Sequence, residues 1–162
     1  MDYLWSPWRF HYVSKPEPRS TCLFCEKLCQ ANDAENLIIR RARRNFVLLN
    51  IYPYTTGHLM IAPYEHVATL EEAAEETLTE MIFLTRQAVA HLRTIYNPQG
   101  INLGMNIGEC AGAGVAGHIH MHVVPRWVGD SNFMTTIGET RVLPEDLKTT
   151  YEKLSRAFAG PR

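Results

Sequence analysis

The sequence predicts an α+β fold, with an antiparallel sheet of about five strands, one long helix and a shorter C-terminal helix. Two observations support this class. Strand-like segments are short and bounded by turns, and they are segregated from the helical segments instead of alternating with them, as a doubly wound sheet would require. The 162 residues suffice for one core, so we expect a single domain over residues 1–162.

The first part of the chain is expected to supply an arm and three strands. Residues 1–21 are rich in aromatic residues and proline, which indicates an irregular N-terminal arm packed onto the domain. Strands are predicted over residues 36–40, 45–50 and 58–62, where apolar residues cluster between turns. We interpret the arginines around the first turn as a solvated surface: Arg40, Arg41, Arg43 and Arg44.

The middle of the chain predicts the long helix. Thr69-Leu-Glu-Glu72 matches a capping box and predicts the start of a helical region. Between Leu78 and Ile95 the apolar residues recur at helical spacing, and Asn97-Pro-Gln-Gly100 ends the helix.

The last third of the chain predicts two further strands and a helix. The strands cover residues 101–107 and 118–124, and a loop covers 127–138. The last helix covers 144–158 with a proline in its first turn, within a C-terminal extension of residues 139–162.

Composition limits the classes of partner. A formal net charge of −1 gives no general attraction to nucleic acid or to an anionic membrane. The chain has no apolar run of about 18 residues and no apolar signal-peptide core at its start. We therefore expect a cytoplasmic protein with reduced cysteines, whose partners include neither nucleic acid nor membrane.

Three histidines alternate with apolar residues in the last predicted strand. Because successive side chains of a strand point to opposite faces, His118, His120 and His122 are expected to share one face. The preceding segment 108–117 is rich in glycine, whose backbone can approach an anion closely. Aligned imidazoles after such a loop indicate phosphate chemistry.

Two kinds of chemistry fit three aligned imidazoles. In the first, an imidazole nitrogen attacks phosphorus to form a covalent intermediate, while loop amides and a neighbouring imidazolium stabilise the phosphoryl oxygens. In the second, the three histidines bind a catalytic zinc ion. The glycine-rich loop favours the first, because it would have no task in the second.

These residues resemble the histidine triad (HIT) superfamily of nucleotidyl hydrolases and transferases. The similarity covers roughly residues 20–135. Within the superfamily the chain is similar to the fragile-histidine-triad branch, which includes bacterial diadenosine polyphosphate (Ap4A) phosphorylases and hydrolases. The segments that carry the similarity, besides the three histidines, are Asn50, Thr56–Pro63, Glu65-His66, Asn102–Asn106, Ala111–Gly114 and Pro125–Met134.

The resemblance implies a HIT-like fold and a catalytic role for four histidines. His120 would be the nucleophile and His122 would contact phosphate oxygens. His118 would either support these two rings without touching the substrate or be linked to a metal. His58 would lie near them and set their hydrogen bonding. The matching nucleotide- and phosphate-binding positions are Asn50, Asn106, Gly112, Gly114, Val115, Ala116 and Trp127.

The chain departs from the family's pattern just before the histidines. Many members carry Gln followed by Ser or Thr there, whereas this chain reads Gly114-Val-Ala-Gly117. The hydroxyl that assists the leaving group is therefore missing from this stretch, and main-chain amides or a different acceptor are expected to substitute.

A zinc ion is the expected cofactor, and no organic cofactor is expected. The close spacing of Cys22 and Cys25 favours a metal over a disulfide, although free cysteines also pack as small apolar side chains. The resemblance implies that His66 and His118 complete a structural zinc site of two thiolates and two imidazoles.

The resemblance also implies a homodimer and a small-molecule nucleotide substrate. The expected reaction is cleavage of Ap4A-like dinucleoside polyphosphates through a nucleotidyl-histidine intermediate, with phosphate as acceptor. One alternative is a water-dependent hydrolase of Ap4A, adenosine phosphoramidates or related nucleotides. Another is a nucleotide-binding regulatory protein with little turnover, but binding alone needs neither a nucleophile nor its orienting partners.

Overall fold

The computed structural model describes residues 21–137 and 143–160, and these form one antiparallel sheet with helices on both faces. The predicted arm, except its last residue, and parts of the predicted C-terminal extension lie outside the described residues. The strands are β1 (Ile38–Arg41), β2 (Asn45–Leu49), β3 (Leu59–Pro63), β4 (Gly100–Gly104) and β5 (Met121–Arg126). They lie in the order β1-β2-β3-β5-β4, so the predicted α+β class with a five-stranded antiparallel sheet is confirmed.

Four α-helices accompany the sheet within the described residues: α1 (Leu23–Cys29), α2 (Glu75–Tyr96), α3 (Phe133–Thr136) and α4 (Leu147–Ala159). None of the helices in this part of the chain is long and apolar enough to cross a membrane.

The two central strands β2 and β3 are buried along their whole length. Val47 and Leu49 pack into the core beneath α2 and α4, whereas the alternate residues Phe46 and Leu48 pack with Phe24 of α1. Because helices cover both faces, both sets of alternating side chains have to be apolar. This explains why these strands are continuous apolar runs.

The predicted start of the long helix was wrong by several residues. The carboxylate of Glu72 accepts hydrogen bonds from the amides of Ala68 and Thr69, as in a capping box, but the bonds close an isolated turn. The helix α2 begins only at Glu75, after Ala74 in an extended conformation. The capping-box hydrogen bonds at Thr69 are therefore present, but no helix follows directly from them.

Two helices were missed and the start of a third was shifted. α1 spans only 7 residues and α3 only 4, too few for an apolar periodicity to show. α3 lies in the predicted loop 127–138, where the Asn132 side chain accepts from the amide of Met134. α4 begins after Asp146, whose side chain accepts from the amide of Thr149, and not at the earlier proline.

The histidine segment is only partly in a strand. β5 begins at Met121, so His118 and His120 precede it, whereas the sequence predicted a strand from residue 118. By extension of the β3–β5 register, Ile119 would face Pro63, which has no N–H to donate. The Ile119 amide instead donates to the carbonyl of Val67 at 2.9 Å, and the chain leaves the sheet there. β4 likewise ends earlier than predicted. Its pairing with β5 stops at Gly104, whereas the sequence predicted a strand as far as residue 107.

Candidate functional site

A pair of hydrogen-bonded histidines joins the start of β3 to β5. His58 Nε2 lies 2.9 Å from His122 Nδ1, and the His58 side chain is fully buried. The main-chain amide of Tyr54 donates to His58 Nδ1 at 3.2 Å, so this nitrogen is an acceptor. The neutral His58 ring therefore carries its proton on Nε2 and donates it to His122.

The same argument fixes the proton of His122. Its Nδ1 accepts from His58, so the neutral ring carries its own proton on Nε2. Burial, and to a lesser extent the nearby His120, lower the pKa of His122 to about 4. At neutral pH, His122 is therefore an uncharged ring with an N–H donor at Nε2.

His120 has the opposite tautomer. Its Nδ1 lies 2.9 Å from the carbonyl oxygen of His118, which can only accept, so Nδ1 carries the proton and Nε2 keeps a lone pair. The ring is buried, and its centroid lies 4.8 Å from that of His122. Burial lowers the pKa of His120, and the bond to the carbonyl offsets this only in part. An unprotonated Nε2 at neutral pH is what attack on phosphorus requires.

His118 belongs to a second group of side chains. Its Nε2 donates to the carbonyl of Pro63 at 2.9 Å, so the lone pair is on Nδ1, which lies 3.3 Å from Cys22 Sγ and 3.8 Å from Cys25 Sγ. His66 Nδ1 lies 3.4 Å from Cys25 Sγ. We call these four side chains the Cys/His cluster.

The Cys/His cluster fits a tetrahedral metal ion. The four candidate ligand atoms lie within 4.8 Å of one another. Zinc takes two thiolates and two imidazoles at about 2.0–2.3 Å, which places neighbouring ligand atoms about 3.3–3.8 Å apart in a tetrahedron. The three sulfur–nitrogen distances between the cysteines and His118 or His66 already lie in this range. The donor set is therefore suitable for zinc.

The geometry does not favour a catalytic zinc ion bound by the three histidines. Within residues 21–137 and 143–160, the Cys/His cluster is the one group of three or more His, Cys, Asp or Glu side chains suited to a shared metal. His118 directs its lone pair to the thiols, and His120 Nδ1 is occupied by a main-chain carbonyl. The three histidines thus divide between two tasks.

The glycine-rich segment forms a compact loop before the histidines. Gly108 and Gly112 adopt φ values of 82° and 85°, which favour glycine, on either side of a 3₁₀ turn. Asn106, which was predicted to contact phosphate, donates from Nδ2 to the Gly112 carbonyl at 3.4 Å and so stabilises the loop. Of the next predicted positions, Gly114 is exposed, and Val115 and Ala116 are half-buried.

The two remaining predicted nucleotide contacts lie in different surroundings. Asn50 follows β2, and its Nδ2 lies 3.5 Å from His58 Nδ1, so it belongs to the histidine group. Trp127 follows β5 and is half-buried, and its amide donates to Asp130 at 3.0 Å. Among the described residues, no hydrogen bond or ring contact joins the Trp127 side chain to the histidines.

Two aromatic residues that were not among the predicted site residues lie beside the histidines. Phe24, which had no assigned role, contacts the rings of both His118 and His120. The ring of Tyr54 lies 4.6 Å from that of His58 and stacks at 6.1 Å with that of His122. The signal for Phe24 was its place between the two cysteines in Cys22-Leu-Phe-Cys25.

Comparisons with known proteins agree with the resemblance inferred from the sequence. The family model of the HIT domain matches residues 31–128. An AP-4-A phosphorylase of Mycobacterium tuberculosis is 37% identical, over 98% of this chain and 85% of that protein. An adenosine 5'-monophosphoramidase of Schizosaccharomyces pombe is 23% identical, over 83% of this chain and 96% of that protein.

The similarity extends to solved structures. A Zn-bound histidine triad family protein from Mycobacterium smegmatis matches with a TM-score of 0.69 and 28% identity, over 86% of this chain and 94% of that one. The similarity thus holds for both the sequence and the backbone.

Proposed function

The chain belongs to the HIT domain family of nucleotide-processing enzymes, and from this premise we propose that it cleaves dinucleoside polyphosphates of the Ap4A class. The observation that carries the proposal is the pair of opposite tautomers in His120 and His122. One ring offers a lone pair at Nε2 and its neighbour offers an N–H at Nε2. The similarity to the M. tuberculosis AP-4-A phosphorylase supports the substrate class.

In the first step, His120 Nε2 attacks the α-phosphorus of the substrate. An N–P bond forms as the bond from phosphorus to the leaving oxygen breaks, and the electron pair of that bond leaves with ATP. The ring then carries a positive charge, and its Nδ1–H bond to the His118 carbonyl stabilises it. The product of this step is an adenylyl-His120 intermediate.

His122 assists by donating its Nε2 proton in a hydrogen bond to a phosphoryl oxygen. Because its pKa is about 4, it does so as a neutral ring at neutral pH. The donor is present before the reaction begins, so it stabilises the developing charge without reorganisation. Main-chain amides of the loop that precedes the histidines would add further donors. The candidates are those of Gly114, Val115 and Ala116, because the amides of Gly112 and Ala113 already donate to the carbonyls of Glu109 and Gly108.

Inorganic phosphate is the proposed acceptor in the second step. A phosphate oxygen attacks the adenylyl phosphorus, the N–P bond breaks, and its electron pair returns to His120 Nε2, giving ADP. Phosphate is already an anion at neutral pH, so it needs no base to remove a proton. This suits a loop that reads Gly-Val-Ala-Gly where many relatives have a hydroxyl.

The Cys/His cluster would hold a structural zinc ion. The ion would cross-link α1 to the segments after β3 and before β5, through Cys22 and Cys25 on one side and His66 and His118 on the other. The Zn-bound relative from M. smegmatis supports this assignment. All steps of nucleotidyl transfer are carried by the histidines and the loop.

A homodimer is the proposed assembly. β4 is an outer strand of the described sheet, paired on one side with β5, and its Leu103 is 52% exposed. An open strand edge with an apolar side chain can pair with a second copy of the chain. Light scattering at micromolar concentration would give twice the chain mass if this is correct.

Product analysis with Ap4A, with and without inorganic phosphate, tests the proposed reaction. ADP plus ATP formed only with phosphate would support the phosphorylase. AMP plus ATP without phosphate would make water the acceptor. No cleavage of Ap4A, with turnover of adenosine 5'-phosphoramidate, would instead favour the activity named for the S. pombe relative.

A further inference from the structure

Phe24 is buried between the Cys/His cluster and the proposed nucleophile. It lies on α1, is 1% exposed, and its ring centroid lies 5.1 Å from that of His118 and 4.9 Å from that of His120. It also meets the ring of Phe46 on β2 edge-on at 6.3 Å. One side chain therefore contacts a cluster ligand and the nucleophile at the same time.

The His120 ring needs contacts beyond its hydrogen bond. The bond from Nδ1 to the His118 carbonyl holds one nitrogen of the ring, but its angular tolerance still allows the ring to turn slightly through coupled changes of χ1 and χ2. Such a turn would move Nε2 out of line with phosphorus. Phe24 meets the ring at an interplanar angle of 48° and His122 meets it at 71°, and together they restrict this turn.

The Cys/His cluster adds to the contacts that position the helix carrying Phe24. A helix of 7 residues is too short to be stable alone, and Cys22 at its N-cap makes no side-chain cap bond. Phe24 and Leu28 pack on the sheet, and the thiols of Cys22 and Cys25 meet imidazoles from beyond β3 and before β5. Joining the four ligands to one ion would hold α1 against the sheet.

We propose that Phe24 is a positioning residue for His120, and that α1 transmits the state of the Cys/His cluster to the nucleophile. This rests on the proposed function for the role of His120. His118 supplies a second connection, because its ring is a cluster ligand and its carbonyl holds His120 Nδ1. The cluster then determines the rate of nucleotidyl transfer as well as the stability of the fold.

Phe24→Met is the first test, because methionine keeps most of the buried volume but has no ring. Leu28→Met on the same helix is the matched control, since Leu28 packs in the same apolar cluster and has no part in the site. We expect Phe24→Met to lower kcat for Ap4A on the order of 10- to 100-fold, with KM within about twofold. Zinc content and the melting temperature should stay close to those of Leu28→Met.

A spectroscopic measurement makes the test independent of turnover. The ring nitrogens of His120, observed by NMR in protein labelled with ¹⁵N-histidine, report how the ring is held and which nitrogen carries the proton. Phe24→Met should shift or broaden these signals, and Leu28→Met should not. Cys25→Ala, which removes a cluster ligand, should change them too, whereas Cys29→Ala, an exposed cysteine on the same helix, should not.

Wild-type kcat and wild-type His120 signals in both Phe24→Met and Cys25→Ala would overturn the proposal. Equal losses in Phe24→Met and Leu28→Met would also overturn it, since a general effect on the core would then suffice. If the wild-type protein does not cleave Ap4A, the proposed function fails, but the NMR comparison of these variants still decides whether Phe24 positions His120.

Discussion

Asn45 donates two hydrogen bonds to one oxygen of Glu80, through its main-chain amide at 2.8 Å and its side-chain amide at 2.9 Å. The amides of Arg43 and Arg44 donate to the same carboxylate. Burial by itself would raise the pKa of Glu80, but these bonds outweigh it and the pKa is lowered. The β1–β2 turn is thereby fixed to α2.

Replacing Glu80 by Gln should lower the free energy of unfolding by about 1–3 kcal/mol, because the amide that replaces one carboxylate oxygen is itself a donor facing donors. Urea unfolding followed by circular dichroism would measure this. Glu76→Gln is the control, since Glu76 is 70% exposed and pairs weakly with Arg44 at 3.8 Å. An equal effect in both variants would mean that the Glu80 bonds contribute nothing specific.

Replacing His120 by Ala should reduce turnover of Ap4A on the order of 10³-fold or more, because no other nitrogen can form the intermediate in its place. Binding of ADP, measured by calorimetry, should remain, since the loop amides are unchanged. His91→Asn, on α2 beside Phe158, should keep the wild-type rate. A variant that retained the wild-type rate without His120 would exclude the covalent mechanism.

Stability should decrease in acid because of His122. Its pKa is about 4 in the folded protein against 6.5 in a model compound, so the unfolded chain binds its proton first. The free energy of unfolding is then unaffected by this group above pH 6.5 and falls as the pH drops toward 4, by roughly 3 kcal/mol in all. Denaturant titrations of wild type and His122→Asn between these pH values would measure the difference. A parallel pH dependence in the two proteins would contradict the prediction.

Protein purified without chelator should contain one zinc ion per chain, measured by elemental mass spectrometry. Replacing Cys22 by Ser should lower this content and the melting temperature, because the thiolate and the cross-link to His118 are both lost. Cys110→Ser should leave both unchanged, since Cys110 is exposed and outside the Cys/His cluster. Metal-free wild-type protein with an unchanged melting temperature would rule out the zinc site.

The fold class could be predicted from the sequence because β2 and β3 are almost continuous apolar runs and α2 is a long helix with a regular apolar stripe. The apolar runs of the strands and the stripe from Leu78 to Ile95 express burial that any α+β packing requires. The short helices could not be predicted in this way. α1 and α3 depend on contacts with distant residues, and the capping box at Thr69 satisfied its local bonds without starting a helix.

The sequence predicted which histidines form the site, but it did not predict how their side chains are arranged. The sequence identified every histidine of the group, but strand alternation placed His118, His120 and His122 on one face. The end of β3 at Pro63 takes the chain out of the sheet, and His118 joins the thiols. The contact of Phe24 with His120 joins residues 96 positions apart, and the place of Phe24 between two cysteines points to the Cys/His cluster but not to this contact.

The protons of the histidine group are assigned by the path of the main chain. The amide of Tyr54 and the carbonyls of Pro63 and His118 decide which nitrogens of His58, His118 and His120 are protonated. Every residue type except proline has an amide, and every residue type has a carbonyl. A substitution at position 54 that keeps the amide and leaves the backbone in place therefore does not change which ring nitrogens of the histidines carry lone pairs. Substitutions at position 54 can change the side chain that contacts the imidazole rings, whereas the tautomers of the histidines are determined by the backbone of the fold.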